Sequence, residues 1–229
     1  MISIIEESQK WKETLLTFDH YDFYHTYDYH MISKKVDEKP ILVHFMGQNF
    51  SVAIPFLLRP IANSPFFDLT SVYGYAGPIF SNYSEAIDPV PFYDAFTGLL
   101  QELKIVSVFS RLHPYIIGQT TFLNKLGTTP ALGKVVNIDL RLDLASQRTQ
   151  YSKSTKNRTN KCRKLCTVRK AESENDINTF IDIYYENMDR LSASQDYYFT
   201  REYFFNFMKC KDFETDILLV EHNEDKVAT

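Results

Sequence analysis

The chain has 229 residues, enough for one large domain or two of about 110, and its 44% hydrophobic and 24% charged composition excludes a disordered polymer. A net charge of −4 hides a basic tract at 151–170 that holds eight Lys and Arg and no acid, leaving −12 on the remainder and excluding a uniformly polycationic chain. No stretch approaches the ~18 apolar residues of a membrane span, and Met1-Ile2-Ser3-Ile4-Ile5-Glu6-Glu7 has neither the basic nor the long apolar region of a secretory signal.

In chain order, residues 1–35 read as helical pieces around the aromatic stretch Tyr21 to His30. Ile41–Met46 and Phe50–Arg59 are β-rich runs joined by Gly47-Gln48-Asn49, which predicts a hairpin. Asp68 to Ile79 reads as a strand entering a loop that carries Gly74 and Gly77. Residues 90–103 place Phe92, Ala95, Phe96, Leu99, Leu100 and Leu103 on one helical stripe. Ile105–Phe109 is a short strand ending in Ser110-Arg111-Leu112-His113-Pro114, and Lys134–Leu140 reads as another strand.

The basic segment 151–166 has helical spacing and leads into a candidate strand at 167–171. Ser173 and Asp176 form a capping-box pattern, in which a hydroxyl and an acid three residues on satisfy exposed amides reciprocally. Ile177, Phe180, Ile181, Tyr184 and Met188 then make an amphipathic stripe, and a second helix starts near Thr200. Asp216–Glu221, a turn at His222-Asn223-Glu224-Asp225 and Lys226–Thr229 read as a hairpin whose second strand is cut short. The expectation is a natural protein that is longer, or a truncated gene product. The domain boundary is expected near residue 145.

Cys162, Cys166 and Cys210 are sparse and odd in number, which points to reduced thiols in the cytoplasm. Cys162 and Cys166 lack the second Cys or His pair of a zinc site, and His20, His25 and His30 are spaced for neither a helix face nor a strand face, so no metal is expected. The loop Tyr73-Gly74-Tyr75-Ala76-Gly77-Pro78 either presents Tyr73 and Tyr75 to a substrate or is a tight turn with packed rings. No Lys-Ser/Thr follows it, and no acetyl-coenzyme A pyrophosphate loop is visible, so no cofactor is expected. Lys153, Lys156, Arg158, Lys161, Arg163 and Lys164 form either a surface for tRNA or another polyanion, or a solvated helix face. His113 is a candidate base that nothing in the sequence orients.

Tyr24-His25-Thr26-Tyr27-Asp28-Tyr29, Ala53-Ile54-Pro55 with Arg59, and Val72-Tyr73-Gly74-Tyr75-Ala76-Gly77-Pro78 together resemble the N-terminal half of Fem-type proteins. These are peptidoglycan-bridge aminoacyltransferases with GNAT-like acyltransferase relatives. Tyr151 with Lys153, Lys156, Arg158, Asn160, Lys161 and Arg163 is similar to the basic helix opening that family's second domain. Ile181-Asp182-Ile183-Tyr184 with Met188, Arg190, Ala193, Tyr197, Tyr198 and Phe199 resembles its next signature.

The resemblance implies an α/β (α+β) chain of two GNAT-like domains, 1–145 and 150–229, each a mixed sheet with packed helices and the second incomplete. It implies transfer of an acyl or aminoacyl group, with aminoacyl-tRNA as donor, to an amine of a nucleotide-linked cell-envelope precursor for peptidoglycan or surface polysaccharide. Its alternative is a non-catalytic or truncated module that binds a nucleotide-linked sugar or other polyanion. Carried onto this sequence, Lys34 (or Lys35) approaches a nucleotide diphosphate. Arg190 is either a further cation beside Tyr197 and Tyr198 or an ordinary cation at a helix C-terminus, and Arg201 is either another such cation or a surface partner of Glu202, while the catalytic base stays unassigned.

Overall fold

The computed structural model describes residues 1–222 and 225–228. They form two compact units, 1–132 with 210–213, and 133–209 with 214–229. The architecture is mixed α/β, with a mixed sheet and eight α-helices among the described residues.

In the first unit, β1 (Ile2–Ile5), β2 (Lys39–Met46), β3 (Ser51–Pro60), β4 (Phe67–Thr70) and β6 (Ile105–Phe109) lie in that order, and β5 (Ile79–Ser81) pairs with β3. All neighbours are antiparallel except β4 and β6, which run parallel with Leu69 opposite Val108 and Thr70 opposite Phe109. The expected hairpin is β2–β3. Its turn requires glycine, because a Cβ on Gly47 would sit 2.9 Å from the Phe50 carbonyl oxygen.

Strand alternation sorts the core onto two faces. Ile41, Val43 and Phe45 of β2 and Val52, Ile54 and Phe56 of β3 pack with Phe92, Phe96 and Leu99 of α3 (Val90–Glu102). Leu42 and Ala53 point the other way and join Ile5, Phe18 and Ile79 against Trp11 and Leu15 of α1 (Ser8–Leu15). Each fully buried large apolar side chain contributes about 1.5–3 kcal/mol, so α3 and α1 are held to the sheet chiefly by such contacts. Arg59 and Asp68, opposite each other on β3 and β4, add a two-point ion pair at 2.6 and 3.0 Å.

Ile2–Ile5 lies inside the stretch read as helical pieces but is a strand, because Ile2 and Ile4 pair with β2 at Phe45 and Val43. α2 (Tyr27–Ser33) follows a 3₁₀ turn at Phe23–His25, and its N-terminus is tied to 210–213. Asp28 accepts from the Lys211 and Asp212 amides at 2.7 and 3.2 Å, while Asp212 accepts from the Asp28 amide at 2.9 Å and pairs with Lys12 at 2.8 Å. Phe213 packs against Phe23 and Tyr29. A short helix, α4 (Gln119–Leu123), buries Phe122 under the aromatic core.

The second unit holds α5 (Leu144–Thr149), α6 (Lys153–Leu165), β7 (Cys166–Lys170), α7 (Glu174–Arg190), α8 (Arg201–Lys209), β8 (Leu218–His222) and β9 (Asp225–Ala228). β7, β8 and β9 make an antiparallel sheet. The Ser173–Asp176 capping box is formed, and Arg169 of β7 grips Asp176 through two bonds at 2.7 and 3.0 Å and Glu221 of β8 at 3.0 Å. Lys134–Leu140 is not a strand. It alternates apolar and polar residues, but no neighbour supplies a ladder, and Val136 and Leu140 are 90% and 80% exposed. The expected hairpin turn places Asn223 and Glu224 outside the described residues.

Candidate functional site

The two parallel strands β4 and β6 end side by side at Thr70 and Phe109, and loops over residues 71–78 and 110–118 leave them. Crevices at the carboxyl ends of parallel strands are where open α/β sheets bind ligands. The first loop buries Val72 and Ala76, while Tyr73 and Tyr75 are 55% and 37% exposed. Gly74 between them has φ +123°, and a Cβ there would overlap three atoms of the Tyr24 ring, the farthest at 2.9 Å. Only glycine therefore lets the loop lie on Tyr24, whose ring meets Tyr75 edge-on at 5.8 Å.

Beneath the loop, His25 is fully buried, its Nε2–H donating to the Gly77 carbonyl at 3.0 Å and its Nδ1 accepting from the Asp22 amide at 3.0 Å. Burial pushes its pKa down to about 4, so the ring stays neutral with both nitrogens occupied. His30, also fully buried, is pushed by burial to about 3; its Nδ1–H donates to the Thr26 carbonyl, and Nε2 has no partner among the described residues.

On the second loop, His113 donates from Nε2 to Asp22 at 3.1 Å, and its Nδ1 accepts from the Tyr115 amide at 3.2 Å. Burial pushes the Asp22 carboxyl up, but the hydrogen bond from His113 outweighs it, and the group sits below the ordinary carboxylate range. With both nitrogens held, His113 acts on Asp22 by positioning it. The group offers phenolic hydroxyls on Tyr73 and Tyr75, a half-exposed carboxylate on Asp22 and the guanidinium of Arg111. Sequence reasoning missed Asp22, 91 residues from His113, and Arg111, which had no signal beyond its place after a strand.

No family model and no curated protein matches the sequence. Among solved structures, the crystal structure of FemX matches with a TM-score of 0.65 at 11% identity, covering 95% of this chain and 57% of FemX. This chain has the FemX fold. The chain spans little more than half of FemX's length, and at 11% identity the likeness speaks for the fold alone.

Within this Fem-type fold, Lys34, Tyr73 and Tyr75 belong to the first unit, and Arg190, Tyr197, Tyr198, Arg201 and the α6 cations to the second. Lys34 caps the C-terminus of α2, half-buried and without an ion pair among the described residues. Arg190 donates to Asn187 one turn back in α7 at 2.7 Å. Tyr198 donates its hydroxyl to Asp189 at 2.8 Å and stacks on Tyr185, and Arg201 pairs with Asp182 and bonds Asn178 at 2.9 Å. The hydroxyls of Tyr184 and Tyr185 donate to the carbonyls of Tyr197 and Phe199, lacing the loop after α7 onto that helix. Tyr197 is exposed.

Lys153, Lys156, Arg158, Lys161, Arg163 and Lys164 lie on α6, a helix with no buried residue, and make no ion pair among the described residues. The three cysteines are free thiols. Among the described residues, no helix is long and apolar enough to cross a membrane, and no group of three or more His, Cys, Asp or Glu is arranged to hold a metal ion.

Proposed function

We propose that the chain is an acyl- or aminoacyl-transferase acting on an amine of a nucleotide-linked cell-envelope precursor. The observation that carries this reading is the FemX fold across 95% of the chain. The chemistry is attack of the neutral amine on the acyl carbonyl, collapse of the tetrahedral oxyanion, cleavage of the donor's ester C–O bond, and return of the amine proton to the leaving hydroxyl. With aminoacyl-tRNA as donor, α6 supplies the phosphate-binding surface, its six cations unmatched by acids. Lys34 with Tyr73 and Tyr75 in the first unit, and Arg190 and Arg201 with Tyr197 and Tyr198 in the second, are each proposed by themselves as substrate-binding residues. Free thiols fit a reducing cytoplasm.

The rival reading is a module that binds a nucleotide-linked sugar or other polyanion without turnover. It is favoured by α6, whose cations offer a polyanion a surface that calls for no catalytic group. One experiment separates the two. The chain is incubated with charged tRNA and a uridine-diphosphate-linked peptide, and the peptide is weighed by mass spectrometry. A gain of one aminoacyl residue supports the transferase. Binding by calorimetry with unchanged mass supports the module, and the absence of both mass gain and binding overturns both.

A further inference from the structure

Four arginines among the described residues are half-buried: Arg59, Arg111, Arg148 and Arg169. Arg59 and Arg169 grip carboxylates, and Arg148 donates to the amide oxygen of Asn160 at 2.7 Å. The Arg111 guanidinium alone has no oxygen partner among the described residues. It lies against two rings instead, with its central carbon 5.5 Å from the Tyr73 centroid and 5.6 Å from that of Phe109. Ring faces attract a cation but satisfy none of the five N–H donors of its planar fork. A partly desolvated fork with unfilled donors favours an oxyanion.

Its backbone is fixed where such a ligand would enter. The Ser71 amide donates to the Phe109 carbonyl at 2.9 Å, the Arg111 amide to the Ser71 hydroxyl at 3.3 Å, and the Ser110 hydroxyl to the Ala76 carbonyl at 3.4 Å. These bonds stitch the two loops together just beyond the parallel strand ends, so the backbone that carries the guanidinium is held there. We propose that Arg111 anchors an oxyanion-binding site at the carboxyl ends of β4 and β6, which takes the carboxylate or phosphate group of a small ligand against the exposed rings of Tyr73 and Phe109. This goes beyond the transferase reading: it requires neither acyl donor nor acceptor, and either idea can fail alone.

The test follows the Arg111 Nε–Hε resonance by NMR during titration with sodium acetate or sodium phosphate, against sodium chloride at equal ionic strength. Saturable movement with acetate or phosphate, absent with chloride, is expected, and the tighter titrant identifies the group. Arg111→Gln should weaken binding tenfold or more, read at the Ser71 amide, and Arg111→Lys should fall between, keeping the charge without the fork. Should Arg111→Gln fail to fold, the wild-type resonance and Arg111→Lys decide the matter. An equal response to chloride, or unchanged affinity in either variant, overturns the proposal.

Discussion

Replacing Gly74 with alanine tests whether the Tyr73–Tyr75 loop owes its course to a missing Cβ. Two separate effects add. An L side chain at φ +123° raises backbone strain by about 1–2 kcal/mol. A methyl forced into the Tyr24 ring adds an overpacking penalty of about 1–3 kcal/mol. Tyr24→Ala removes the three atoms nearest to the methyl, so in that background Gly74→Ala should lose most of the packing penalty and keep the backbone part. The coupling between the two substitutions is then about 1–3 kcal/mol. Urea unfolding read by tryptophan emission suits the measurement, because Trp11 is the single tryptophan and is fully buried in the first unit. An equal loss in both backgrounds, or a Gly74→Ala penalty below about 0.5 kcal/mol, would refute the packing argument.

Asp212→Ala removes the acceptor for the Asp28 amide and the partner of Lys12, and should lower urea stability by about 1.5–3 kcal/mol; a change inside experimental scatter would show the clip to be idle. The Asp212 hydrogen bond raises the Lys12 pKa above its usual 10.5, so its contribution is complete below pH 10.5 and fades as pH climbs through the higher folded value. Asp212→Asn should blunt that alkaline loss. His25 and His30 have folded values of about 4 and about 3, below the ordinary 6.5, so their neutral burial supports the fold above pH 6.5 and opposes it as pH falls. Each imidazole should steepen the acid limb of the urea-derived unfolding free energy by up to ~1.4 kcal/mol per pH unit, and His30→Gln should remove its share. Reversing Arg158 and Lys161 to glutamate should weaken tRNA binding and shallow its log–log salt slope by about 0.7–0.9 for each lost phosphate contact; an unaltered slope in filter binding leaves α6 a solvated face.

What could be read in advance was local. The β2–β3 hairpin announced itself through β-rich runs around Gly47, and α7 through the Ser173–Asp176 box and its apolar stripe, because each signal lies within a few residues of the bonds it produces. The set of Tyr73 and Tyr75 stayed open in the sequence, and only the burial of Val72 and Ala76 beside them shows the two rings partly exposed. Lys134–Leu140 shows where local reading fails: alternation describes a residue's readiness for a sheet, but the ladder comes from a partner strand. β1 was hidden for a related reason, as four residues without a turn signal gain their identity from β2, some forty positions later. At the candidate site, His113 was visible as a possible base, yet its tautomer and its grip on Asp22 arise only when distant loops meet. Arg111 carried no mark at all, for a guanidinium lacking an oxygen partner is a property of three-dimensional surroundings.

The four residues 210–213 give the first unit a dependence on the order of synthesis. Translation delivers residues 1–132 well before Asp212 and Phe213, which complete that unit. At 5–20 residues per second, the 81 residues between Leu132 and Phe213 correspond to roughly 4–16 s. During that interval Lys12 lacks its counter-ion, the Asp28 amide its acceptor, and Phe23 and Tyr29 the ring that later packs on them. The nascent unit therefore emerges with a ready-made vacancy, open to any acidic–aromatic segment that reaches it first, and ribosome-stalled chains ending between residues 132 and 209 should be more protease-sensitive around α2 than chains carried past residue 213.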